Sequence, residues 1–107
     1  MHIGMLKTIV IGIEWDDGNF SKCQKHGVSI EEIEEVLHNP SVGIEPDIAH
    51  STDEDRLWAI GRTAEERGVF VVFVRKLRFD GLWLPPISAR YMHQKEIDYY
   101  EAKAANI

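Results

Sequence analysis

The sequence predicts an α+β fold in one domain, a small antiparallel β-sheet packed against helices. Three observations carry this expectation. A capped amphipathic helix signal occupies residues 29–37, and three strand-like segments follow each other between residues 56 and 89 with hairpin-length links. A chain of 107 residues is long enough for one hydrophobic core and too short for two. The order strand, helices, several strands, helix differs from the strict alternation that builds a parallel sheet.

Each element has a local cause. Residues 8–15, TIVIGIEW, form a β-branched apolar run that stops at Asp16-Asp17-Gly18-Asn19, a strand closed by a turn. Residues 19–26 allow two helical turns, and Gly27 can end them in the left-handed conformation. Ser29 and Glu32 have capping-box spacing, and Val28 and Ile33 have that of a hydrophobic staple. Ile30, Ile33, Val36 and Leu37 then mark one apolar face, and Asn39-Pro40 stops the helix. Residues 42–45 read as a short strand, followed by a polar acidic loop over residues 46–55. Residues 56–63, 69–78 and 82–89 are the stronger strands, joined by a loop ending in Gly68 and by a turn at Asp80-Gly81. Short links imply an antiparallel meander of four strands with the preceding short one. Residues 91–104 close the chain as a helix with Met92, Ile97 and Tyr99 or Tyr100 inward, one sheet face is helix-covered, and the other is open for a ligand.

Composition narrows the function class. With 44% hydrophobic and 28% charged residues the chain is an ordinary folded domain rather than a disordered one. Residues 69–74, an unbroken apolar stretch, fall far short of the roughly 18 residues of a membrane span. The opening residues lack the pattern of an export signal, and the single Cys23 excludes an internal disulfide, so the expected compartment is the cytoplasm. The net charge of −6 argues against a nucleic-acid partner, but it conceals a division. Residues 1–55 hold three cations against twelve acids, a balance of −9, whereas residues 56–107 hold nine against six, a balance of +3. Arg56, Arg62, Arg67, Arg75, Lys76, Arg78 and Arg90 make the meander the basic part of the chain.

No phosphate-binding glycine loop, paired-cysteine zinc pattern or nucleophile elbow occurs, and the five histidines share no close metal-ligand spacing. Cys23 lies beside Lys22 and Lys25, yet a small half-buried helix cysteine is the simpler reading. Lys25, His26, Arg56, Arg62, Arg90 and His93 are more informative. Arg56 and Arg62 are an even number of residues apart in one strand and can share a face, where Arg90 could complete a cationic floor. Cleavage of RNA by its own 2′-hydroxyl needs a base, an acid and cations on the developing phosphorane, but no metal or cofactor. The competing explanation for each arginine is a solvated strand residue paired with an acid, and for His26 a helix-terminal histidine.

The segments EWDDGN (residues 14–19), KHGVSIEE (25–32), DIAHS (47–51), DRLWAIGRT (55–63) and ISARYMHQKE (87–96) resemble, in order and spacing, the BrnT family of type II toxins. The resemblance implies a RelE-like fold and metal-independent, cofactor-free ribonuclease activity that inhibits translation. It also implies a cognate ribbon-helix-helix antitoxin, through which alone the toxin would meet promoter DNA. By matching position it assigns roles to Lys25, His26, Glu54, Arg56, Arg62 and Arg90, with Glu96 and Tyr100 as structural or orienting groups. In the expected site Arg62 and Arg90 hold the scissile phosphate, and Lys25 and Arg56 contact the RNA backbone beside Arg75 and Arg78. His26 or His93 is the general acid or base, with Glu54 as a second candidate base. The alternatives are a non-catalytic protein-binding module that meets a basic partner through the acidic helix at Glu31–Glu35, and a metal-dependent hydrolase using His26, His50 and an acidic residue.

Overall fold

The computed structural model describes residues 10–47 and 56–105. Glu54, His50 and the start of the expected opening strand lie outside the described residues. The elements run β1 (Val10–Ile13), α1 (Asp17–Cys23), α2 (Ile30–His38), β2 (Gly43–Pro46), β3 (Arg56–Arg62), β4 (Gly68–Val74), β5 (Lys76–Arg78), β6 (Gly81–Leu84), β7 (Pro86–Tyr91) and α3 (Gln94–Ala105). They form the expected α+β layers, with an antiparallel sheet in the order β2-β3-β4-β7 and a small mixed sheet in the order β1-β6-β5.

Two expected strands are each divided. The segment over residues 69–78 breaks at Arg75 and that over residues 82–89 breaks at Pro85, so β5 and β6 leave the main sheet as a separate hairpin. Pro85 has no N–H to continue a ladder, and its carbonyl instead accepts from the Val74 N–H at 3.1 Å. β7 then re-enters with one extra residue, Ile87, between the partners of Val72 and Phe73. β1 pairs in parallel with β6 and takes no part in the main sheet.

The helix boundaries also move. α1 starts at Asp17 rather than residue 19, because the Asp16 carboxylate caps the Asn19 N–H while the Asn19 side chain accepts from the Asp16 N–H. It ends at Cys23, and residues 24–27 tighten into i to i+3 turns through Gln24, Lys25 and Gly27 N–H bonds. Gly27 has φ +93°, as its position after the helix required. The Ser29–Glu32 capping box forms in both directions, and Val28 and Ile33 of the staple are fully buried. Tyr91 lies in β7 rather than the last helix, because Met92 N–H still bonds to the Gly68 carbonyl.

Strand alternation divides the main sheet into two faces. Leu57, Ala59, Val69, Val71, Phe73, Ala89 and Tyr91 face α1 and α2, where Cys23, Val28, Ile33, Val36 and Leu37 complete the core. The opposite face carries Arg56, Trp58, Ile60, Arg62, Phe70, Val72, Ser88 and Arg90. α3 covers one end of it, with Ile97 buried against Gly68 and Tyr100, Lys103 and Ala104 around Ile60.

Gly61, on the helix-facing side of β3, allows the connection after α2 to lie against the strand. A Cβ there would stand 3.1 Å from Ser41 N and 3.3 Å from Pro40 Cα. The contact is with backbone, which cannot swing away. Gly61→Ala is therefore expected to cost about 1–3 kcal/mol in urea denaturation, and an unchanged midpoint would show that this connection yields freely.

Candidate functional site

The uncovered half of the second sheet face is a shallow trough of about 310 Å³, lined by Asp47, Arg56, Trp58, Phe70, Val72, Ile87 and Ser88. A smaller cleft of about 110 Å³ adjoins it, lined by His26, Phe70, Ser88, Ala89 and Arg90. Phe70 and Ser88 belong to both, so the two form one continuous surface.

Arg90 projects to this face because it sits directly across from Phe70 in the β4–β7 ladder. Its Nη1 and Nη2 donate to Glu96 Oε1 and Oε2 at 3.0 and 3.1 Å, and its Cζ lies 4.8 Å from the Phe70 ring centroid. Arg90 and the His93 backbone N–H, which donates to Oε1 at 3.1 Å, hold the Glu96 carboxyl below the usual carboxylate range. With 45% of the Arg90 side chain exposed, the pair contributes little to stability. Its effect is orientation. Of five guanidinium N–H donors, three remain after the bidentate bond for an incoming anion.

His26 reaches the same cleft from the turn after α1. Tyr91, next to Arg90 but on the opposite face, donates from its hydroxyl to Glu32 Oε1 at 2.6 Å, and that hydroxyl lies 3.3 Å from the Gly27 carbonyl oxygen. Arg67 stacks over the Tyr91 ring with Cζ 3.4 Å from the centroid. The bond to Glu32, followed by burial, pushes the Tyr91 hydroxyl pKa up. Burial also pushes Glu32 up, but bonds from Ser29 and Tyr91 outweigh it and hold the carboxyl low. Gly27, Glu32 and Tyr91 thus tie the His26 turn to β7.

The expected site residues separate. His26, Arg90 and Arg56 lie along the open face, and Lys25 is exposed in the same turn as His26. Arg62 is turned to α3 instead, with Nε and Nη2 donating to Glu101 at 2.6 and 2.9 Å and Nη1 to the Glu66 carbonyl at 2.8 Å. From the strand register its Cα lies ~12 Å from that of Arg90, two strands away. Arg78 is on the small sheet, bidentate to Glu14 at 2.7 and 2.8 Å, and Arg75 lies in the exposed link before β5. His93 is exposed at the start of α3, and Glu54 lies outside the described residues.

Other expectations also meet geometry. Cys23 is fully buried, and burial pushes its thiol up to about 11 against the weaker opposing effect of Lys22, which makes it a core residue. The acidic α2 is partly committed inward, since Glu34 accepts from Trp15 Nε1 at 2.9 Å and Glu35 from the Ala64 N–H at 3.4 Å. Among the described residues no three His, Cys, Asp or Glu side chains converge. No helix among the described residues is long and apolar enough to cross a membrane. Trp58, Phe70, Ser88 and Tyr91 carry no site signal of their own in the sequence, although Trp58 shares the parity of Arg56.

A family model described as "Ribonuclease toxin, BrnT, of type II toxin-antitoxin system" matches residues 15–96. The chain belongs to the BrnT family. A search of curated proteins finds no match. BrnT membership makes RNA and a cognate antitoxin the relevant macromolecules, and the match spans α1 through the start of α3, including the whole open face.

Because Glu96 titrates below its ordinary range when folded, it stabilises the fold above the unfolded carboxylate pKa and loses that effect as pH falls through the folded value. In urea midpoints the gap between the parent and Glu96→Gln should be full above about pH 5 and close on further acidification. A gap independent of pH would mean that the Arg90–Glu96 pair has no energetic consequence in solution.

Proposed function

We propose that this BrnT toxin cleaves RNA without a metal, at the cleft where His26 and Arg90 meet. Membership in a family of ribonuclease toxins and the joint lining of one cleft by His26 and Arg90 support this reading. The 2′-hydroxyl attacks the adjacent phosphorus, its proton passes to a base, and the 5′-oxygen leaves as a hydroxyl after accepting a proton. The products are a 2′,3′-cyclic phosphate and a 5′-hydroxyl end. His26 serves as one of the two proton-transfer groups. Arg90, fixed by Glu96 and backed by Phe70, stabilises the charge that develops on the equatorial phosphorane oxygens.

Lys25 and Arg56 contact the RNA backbone on either side of that centre. Arg62, bonded to Glu101 and the Glu66 carbonyl, ties α3 to the sheet and supports the site from a distance. His93 and Glu54 remain the candidates for the second proton-transfer group. Message cleavage arrests translation, and a ribbon-helix-helix antitoxin neutralises the toxin by covering the open face.

Arg90→Ala should abolish growth arrest and RNA cleavage, a loss of about 10²-fold or more, with an unchanged circular dichroism spectrum. His26→Gln should do the same, and the activity of the parent should be unaffected by EDTA. Cleavage by Arg90→Ala at the parental rate would remove Arg90 from the chemistry. Growth arrest that persists without any RNA cleavage would favour a protein-binding module with this fold.

A further inference from the structure

Trp58 and Phe70 form the apolar floor of the open face, and neither has a role in the proton transfers. They are diagonal neighbours on β3 and β4, with ring centroids 5.2 Å apart and planes at 51°. Both are partly exposed, and both line the trough that leads into the His26–Arg90 cleft. The Arg90 guanidinium stands over Phe70 at one end, and Arg56 lies two residues from Trp58 at the other, beside the buried Asp47. α3 and α1 cover other regions, so the rings keep an accessible side.

We propose that Trp58 and Phe70 are a stacking platform for one unpaired nucleobase next to the scissile phosphate, making the toxin selective for single-stranded RNA. The inference rests on the ribonuclease site above and adds the recognition of its substrate. Aromatic rings present a π-face to any base, whereas a duplex keeps its base faces stacked internally and unavailable. The Arg90 guanidinium already lies over the Phe70 ring, which leaves Trp58 as the main ring for the base. Arg56 and Arg90 flank the pair, so the phosphates on both sides of a stacked base meet a cation. For a chain of net charge −6, stacking also supplies affinity that Coulomb attraction alone cannot. The arrangement gives sequence tolerance, because stacking needs no hydrogen-bond readout.

The test uses the full chain and a fully 2′-O-methylated RNA of about eight nucleotides, which binds but cannot be cleaved. Trp58→Leu should weaken its binding about ten-fold, and Trp58→Phe should recover most of the loss. Abasic substitution along the RNA should find one position that weakens binding to the parent by a similar factor and has little effect with Trp58→Leu. The parent should bind the single strand more tightly than the same sequence in a duplex. Equal affinity of parent and a folded Trp58→Leu variant, or an abasic effect of equal size in both, would overturn the platform. So would a Trp58→Leu variant that loses antitoxin binding and keeps RNA binding, since the ring would then serve the antitoxin alone. Loss of cleavage in Arg90→Ala with undiminished RNA binding by Trp58→Leu would leave the nuclease reading standing and remove only the platform.

Discussion

The register of β3, β4 and β7 is the constraint on which the molecule depends. Because side chains alternate across a strand, Tyr91 pointing to the helices forces Arg90 to the opposite face. The same pairing sends Ala59, Val71 and Ala89 into the core and Trp58, Phe70 and Ser88 to the open side. A slip of one residue would exchange the two sets, burying a guanidinium and exposing the core. Burial of Val69, Val71 and Phe73 therefore also fixes which residues the open face presents.

Adjacent residues on one edge strand do complementary work. Tyr91 anchors the turn that carries His26, through Glu32 of the α2 capping box and the neighbouring Gly27. Arg90 is anchored by Glu96, whose second function is to accept the backbone N–H at the start of α3. Helix capping and site geometry are thus held by the same carboxylates. Arg62, Arg78 and Arg90 are each bonded to a glutamate, so much of the basic half serves to pin elements to the sheet.

Features governed by local chemistry were legible in the sequence. The Ser29–Glu32 box, the stop at Asn39-Pro40, the conformation of Gly27 and the hairpin before Gly68 follow from a few neighbouring residues each. The departures have non-local causes. Nothing within residues 69–78 signals that Lys76 begins a strand of another sheet, since the break depends on Pro85 and on the parallel pairing of β1 with β6. Strand parity placed Arg56 and Arg62 on one face, as found, but could not show that α3 would bring Glu101 to Arg62 and cover that end. Trp58 and Phe70 resemble core aromatics in sequence. Their exposure to a trough depends on how far α3 extends, which only the packed structure displays.

The proposed function puts RNA on the half of the sheet left open by α3. The direct measurement is an NMR titration of the isotopically labelled protein with a non-cleavable single-stranded RNA. RNA on the open face should give the largest shifts at the Trp58 indole, Phe70, Ser88, Arg90 and His26, with small changes at Arg62, Glu101 and the outer face of α2. Shifts concentrated at the Arg62–Glu101 pair, on α2 or on the β5–β6 hairpin, with the open face unmoved, would contradict it.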